Sequence, residues 1–217
     1  MKIRFTIAAV LLSMAASAAW SQSARPARGV GLDLGFELAI PSGSHGQWHP
    51  GSGAALTASY TLPLGAACWY ALPALGVYYN TLGNDYFRAD DAIYDGTIKN
   101  MGMRIPLMVG YRMQPSATVA LDIATGPWLN VNLWSRQYGM PDPGAPVSVP
   151  RSVNLLRHGF RHVEALWGLR LSATFSDHYV VGITASTAFS PMAKYGNRDN
   201  KIKVYRSTIS LALGYKF

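Results

Sequence analysis

Cysteine is nearly missing from this 217-residue chain: Cys68 stands alone, so no internal disulfide can form. Nothing in the sequence around it supports a reactive or metal-binding role. Acidic residues are few as well, 11 against 19 lysines and arginines, which leaves a formal charge of +8. The basic residues are spread rather than clustered, so the charge excess speaks for anionic lipid headgroups and against a nucleic-acid partner. Long apolar runs are also wanting. No stretch after residue 22 supplies the roughly 20 apolar residues that a membrane-crossing helix needs.

The N-terminus is the exception. Met1-Lys2-Ile3-Arg4 is cationic, Phe5 to Met14 is apolar, and Ala15-Ala16-Ser17-Ala18-Ala19 is built of small residues. That order describes a cleavable export signal, with an apolar core about half the length of a spanning helix. Cleavage after Ala18 and cleavage just before Gln22 both fit. The second bounds a signal over 1–21, a short periplasmic segment over 22–28 and one domain over 29–217. No cysteine stands near the site to carry a lipid, so a lipoprotein is not expected.

What the chain has in abundance is a period of two. Val30, Leu32, Leu34, Phe36, Leu38 and Ile40 fall on one face, with Gly31, Asp33, Gly35, Glu37 and Ala39 on the other. The pattern returns over about 53–62, 67–79, 100–113, 117–132, 160–173 and 178–189. It closes in Ser207-Thr208-Ile209-Ser210-Leu211-Ala212-Leu213-Gly214-Tyr215-Lys216-Phe217. A soluble sandwich shows such alternation too, with its apolar face turned to a core. Repetition along the whole chain, with no helix to cover a sheet, favours lipid as the apolar solvent.

In hydrocarbon every backbone N–H and C=O needs a partner within the protein, so an open sheet edge is excluded and the sheet must close. Eight segments match the smallest barrel of this kind. Short connections near 63–66, 114–116 and 174–177 alternate with long ones at about 41–52, 80–99, 133–159 and 190–203. Short turns on one side and long loops on the other are the outer-membrane arrangement. Tyr60, Trp69, Tyr111, Tyr179, Tyr215 and Phe217 fall near the periplasmic ends of the apolar face, and Tyr79, Phe189 and Tyr205 near the outer ends. The expected fold is all-β: an eight-stranded antiparallel up-and-down transmembrane β-barrel in the outer membrane, as a monomer. Pro106 lies inside a predicted strand, where it removes a ladder hydrogen bond. A bulge or break is expected there, with another at Pro73 or Pro127.

Two segments resemble the PorT-like outer-membrane β-barrel family. They are Arg104-Ile105-Pro106-Leu107-Met108-Val109-Gly110-Tyr111-Arg112-Met113 and the closing Ile209-Ser210-Leu211-Ala212-Leu213-Gly214-Tyr215-Lys216-Phe217. The resemblance implies an eight-stranded barrel and little about activity. By analogy it brings in a secretion-associated envelope complex as a partner.

Parity turns eight charges inward, in two levels. Asp33, Arg112, Asp122 and Arg170 lie low; Glu37, Arg104, Glu164 and Arg206 lie higher. Isolated charges inside a narrow barrel are costly, so mixed carboxylates and guanidiniums read as a hydrogen-bonded plug. The competing reading is a narrow polar path for ions. A lipid A-modifying enzyme is a third: His162 and Glu164 share a strand face, with Ser186 or Ser190 as nucleophile. Both side chains point inward by parity, away from a lipid substrate, so no catalytic residues are assigned. His45 and His49 sit in a Gly/Ser/Pro-rich loop and not on a helix, which argues against a metal site; no cofactor is expected. Arg151, Arg157, His158 and Arg161 are the candidate contacts for lipopolysaccharide. The leading functional reading is structural or binding: surface recognition through the long loops, or support of an envelope or secretion complex.

Overall fold

An extended chain whose alternate residues meet lipid and a packed lumen must alternate in burial. Strand β1 (Gly29–Gly43) does so, with Leu34 and Phe36 63% and 64% exposed while Asp33 and Glu37 beside them are buried. The same alternation runs through the side chains described on β2 (Gly51–Pro63), β3 (Trp69–Ala89), β4 (Ala92–Ser116), β5 (Val119–Pro141), β6 (Val163–Phe175), β7 (Tyr179–Ala188) and β8 (Ile202–Lys216). The computed structural model describes residues 22–23, 26–43, 48–65, 68–89, 92–141, 152–195 and 202–217. The export signal expected over 1–21 lies outside them.

Each strand pairs antiparallel with the next, and β8 pairs back onto β1 from Val204–Gly43 to Lys216–Gly31. The sheet is a closed eight-stranded barrel. Its stagger can be read from the register. From Asp33, partners on one side run Thr57, Gly76, Arg104, Asn130. On the other side they run Gly214, Val180, Thr174, Ala120. Both routes end on β5, ten residues apart, so the strands tilt strongly about the axis.

Pairing is interrupted around Pro73, Pro106 and Pro127. The β3–β4 ladder passes from Pro73–Leu107 to Gly76–Arg104, the β4–β5 ladder from Pro106–Trp128 to Val109–Thr125, and the β2–β3 ladder from Ser59–Ala74 to Leu62–Ala71. The register stays in step across all three gaps. These are breaks and not bulges; register shifts occur elsewhere, at Asn84/Phe87, Met101/Gly102 and Met113/Ser116.

The outer ends depart from the sequence reading. Much of 80–99, expected as a loop, is a β-ribbon: β3 and β4 stay paired up to Ala89–Ala92, and β5 follows β4 to Pro141. Ser152–Asn154 then pairs with β5, Leu155–Arg157 forms a 3₁₀ turn, and Phe160 bridges Ala193. The cause is apolar burial. Leu82 and Ile98 on the ribbon pack with Val153, Leu155, Phe160, Met192 and Val204 into one core at the barrel mouth. The interior is therefore not polar throughout, as expected, but closed at its outer end by an apolar cap.

Candidate functional site

Below the cap the lumen holds the inward charges. Three glycines prepare it. A Cβ at Gly110 would fall on the Tyr70 ring, one at Gly102 on Tyr78, and one at Gly168 on the Trp128 indole. Lacking side chains, these positions let the rings lie against the wall and turn their faces to the lumen.

In the upper level Arg104 reaches across from β4 and binds Glu37 on β1 through both terminal nitrogens. Its Nε donates to Asn130 Oδ1 at 3.3 Å, and its guanidinium sits 5.2 Å from the Tyr78 centroid and 5.0 Å from that of Trp128. Arg206 on β8 donates to Glu164 at 2.9 Å, to the Tyr78 hydroxyl at 3.2 Å and to Asn80 at 3.3 Å. Tyr78 in turn donates to Asn132, whose amide nitrogen donates to Glu164 at 2.5 Å. Glu37, Glu164 and Arg206 are wholly inaccessible to solvent.

In the lower level Arg112 forks onto Asp122 at 2.8 and 2.9 Å, and Arg170 crosses from β6 to Asp33 on β1 at 2.8 and 3.2 Å. Lys216, which the reading of inward charges passed over despite its parity, stands 3.5 Å from Asp122 and donates to Thr174 at 3.1 Å. Every carboxylate finds its cation within its own level. Paired this way, charges bear the cost of leaving water.

Between the levels lies a cavity of about 50 Å³ lined by Asp33, Glu37, Arg104, Arg170, Met108 and Trp128 among others. It has room for roughly three or four waters by volume. A smaller void of about 10 Å³ lies beneath, beside Tyr70, Asp122 and Lys216.

The residues weighed for catalysis do not converge. Ser186 bonds Thr208 at 2.7 Å, Ser190 accepts from the Ala165 amide at 2.7 Å, and Glu164 is held by Arg206 and Asn132. His162 was expected to face inward with Glu164. It precedes the first ladder residue, Val163, and is exposed, because parity does not extend past the end of β6. Among the described residues no cluster of three or more His, Cys, Asp and Glu could hold a metal ion; His45 lies outside them. Of the candidate lipopolysaccharide contacts, Arg157 is exposed and His158 and Arg161 are half-buried, while Arg151 lies outside the described residues.

The outer wall decides the setting. Large apolar side chains cover it on every strand, Leu34, Leu75, Leu107, Leu129, Ile183 and Leu213 among them. At the turn end Trp69 packs edge-on to Tyr111 at 5.2 Å, and Tyr215 touches Tyr179 and Phe217 at 5.6 and 5.0 Å. An apolar band with an aromatic girdle around a closed sheet is what lipid demands. The chain is an outer-membrane β-barrel. No family model matches it, and no curated protein does. Among solved structures it is similar to Ail, the attachment invasion locus protein of Yersinia pestis, in complex with the heparin analogue sucrose octasulfate. That likeness has 11% identity and a TM-score of 0.45, over 88% of this chain and 100% of that one. Neisserial surface protein A matches with 13% identity and a TM-score of 0.45, over 87% and 97% of the two chains. OprG from Pseudomonas aeruginosa gives 13%, 0.49, 89% and 97%. No role passes to this chain at such values; the barrel rests on its own strand pairing.

Proposed function

We propose that this outer-membrane barrel is a non-conducting, non-catalytic scaffold that presents its folded outer end for recognition, either at the cell surface or within an envelope complex. One observation carries the reading: the lumen is filled by two levels of paired charges and stoppered by the apolar cap. A pore needs a continuous water column, which this packing opposes, and the serines weighed as nucleophiles are hydrogen-bonded to Thr208 and to the Ala165 amide instead of to a base. What such a barrel displays is the cap with its basic corner over 157–161, which we assign as a contact for lipopolysaccharide phosphates. The resemblance to the PorT-like group, through the segments 104–113 and 209–217, supports a supporting role in an envelope assembly. The test is electrical. The full chain reconstituted in planar bilayers should give no steady unit conductance, and a reproducible open level would overturn the reading.

A further inference from the structure

The outward face of β3, β4 and β5 changes chemistry row by row near the outer end. Val77, Met103 and Val131 share one register row, and Tyr79, Met101 and Trp134 the next. One row higher, Lys99 and Arg136 stand directly opposite each other across the β4–β5 ladder. Above them come Thr97 and Tyr138, and the Lys99 ammonium lies 5.0 Å from the Tyr138 ring centroid. Aromatic side chains mark the boundary of hydrocarbon and headgroup. A row is two residues, so the two cations stand roughly 5 Å beyond that boundary once strand tilt is allowed for.

Like charges directly opposed across a ladder repel. Among the residues whose side chains the structure describes, no carboxylate answers them: Asp33, Glu37, Asp122 and Glu164 are consumed inside the lumen, and Asp177 lies in a turn at the other end. Arg136 is exposed and Lys99 half-exposed on the lipid side. Two like charges paired across the ladder at headgroup height are complementary to a phosphate that lies between them.

We propose that Lys99 and Arg136 form a clasp for a phosphate of lipid A in the outer leaflet. The guanidinium fork takes two phosphate oxygens and the ammonium a third as a point charge. The acyl chains below then run along the row of Tyr79, Met101 and Trp134. This site is on the wall, separate from the 157–161 corner, and does not depend on whether the lumen conducts.

The test uses the full chain refolded in detergent and titrated with bisphosphorylated lipid A, with lipid A stripped of its phosphates, and with inorganic phosphate. The Lys99→Gln/Arg136→Gln double variant should bind bisphosphorylated lipid A roughly thirtyfold more weakly, two basic contacts at the membrane surface having been lost. On an Arg157→Gln/Arg161→Gln background, which removes the cations of the corner, stripping the phosphates should weaken binding by a similar factor, a comparison that stands even if the double variant fails to refold. Lys99→Arg should retain affinity, and millimolar inorganic phosphate should not displace the lipid. Equal affinity for the stripped lipid, unchanged binding by the folded double variant, a loss that follows only Arg157 and Arg161, or displacement by free phosphate would each overturn the proposal.

Discussion

The guanidinium of Arg104 lies 5.0 Å from the Trp128 ring centroid while its nitrogens hold both carboxylate oxygens of Glu37 on another wall of the barrel. One side chain thus joins β1, β4 and β5. Substituting Arg104→Ala strands Glu37 without a counter-charge in a site closed to water, and should cost about 3–5 kcal/mol. Urea unfolding in lipid vesicles measures it. Replacing both residues, Arg104→Leu with Glu37→Leu, should recover much of the loss. A double variant no more stable than Arg104→Ala would show that the pair is not what anchors the level.

Gly110 and Gly35 make a contrast on the lumen wall. A Cβ at Gly110 meets the Tyr70 ring, whereas at Gly35 it meets the Ser210 hydroxyl at 2.9 Å, the end of a small side chain that can turn away. Gly110→Ala should therefore destabilise by about 1–3 kcal/mol. Gly35→Ala should cost clearly less. Equal losses in parallel thermal melts would mean that the ring is not seated as described.

The cap should open separately from the barrel. Leu155 is fully buried in the apolar core at the mouth. A carboxylate there, as in Leu155→Asp, has no partner and pushes the 152–160 segment outward. Hydrogen exchange should then accelerate at Ser152–Asn154 while the β7–β8 ladder stays protected. Uniform acceleration across both would make cap and wall one cooperative unit.

Closure itself can be trapped chemically. Leu34 and Leu213 are directly paired across the β1–β8 seam, whereas Leu34 and Leu211 are one row out of step. On a background with Cys68→Ala, Leu34→Cys/Leu213→Cys should cross-link on mild oxidation far more completely than Leu34→Cys/Leu211→Cys. Electrophoresis without reductant distinguishes them.

The side each residue faces was legible in the sequence because a strand's period is two and lipid and lumen have opposite chemistry. Leu34 and Asp33 declare themselves without a partner in sight. The division of the charges into levels followed from counting residues along each strand from the periplasmic turns. The bond from Arg104 to Glu37, residues 67 apart in sequence, did not, because it depends on the ten-residue stagger that only the register reveals. The cap was hidden for another reason. Val153 and Leu155 lie in three-residue elements and Met192 between strands, in stretches too short for a periodicity to mark them as core. His162 misled because parity was carried one residue beyond the end of its ladder.

The stagger also imposes an order of events. Asp33 and Glu37 emerge on the earliest ribbon, yet their guanidinium partners arrive on the sixth and fourth, and Glu164 waits for Arg206 on the last. A partly assembled sheet entering the bilayer therefore carries naked carboxylates on its concave side. It must keep that hollow wet until the final seam shuts, so insertion and the expulsion of water from within are one and the same step.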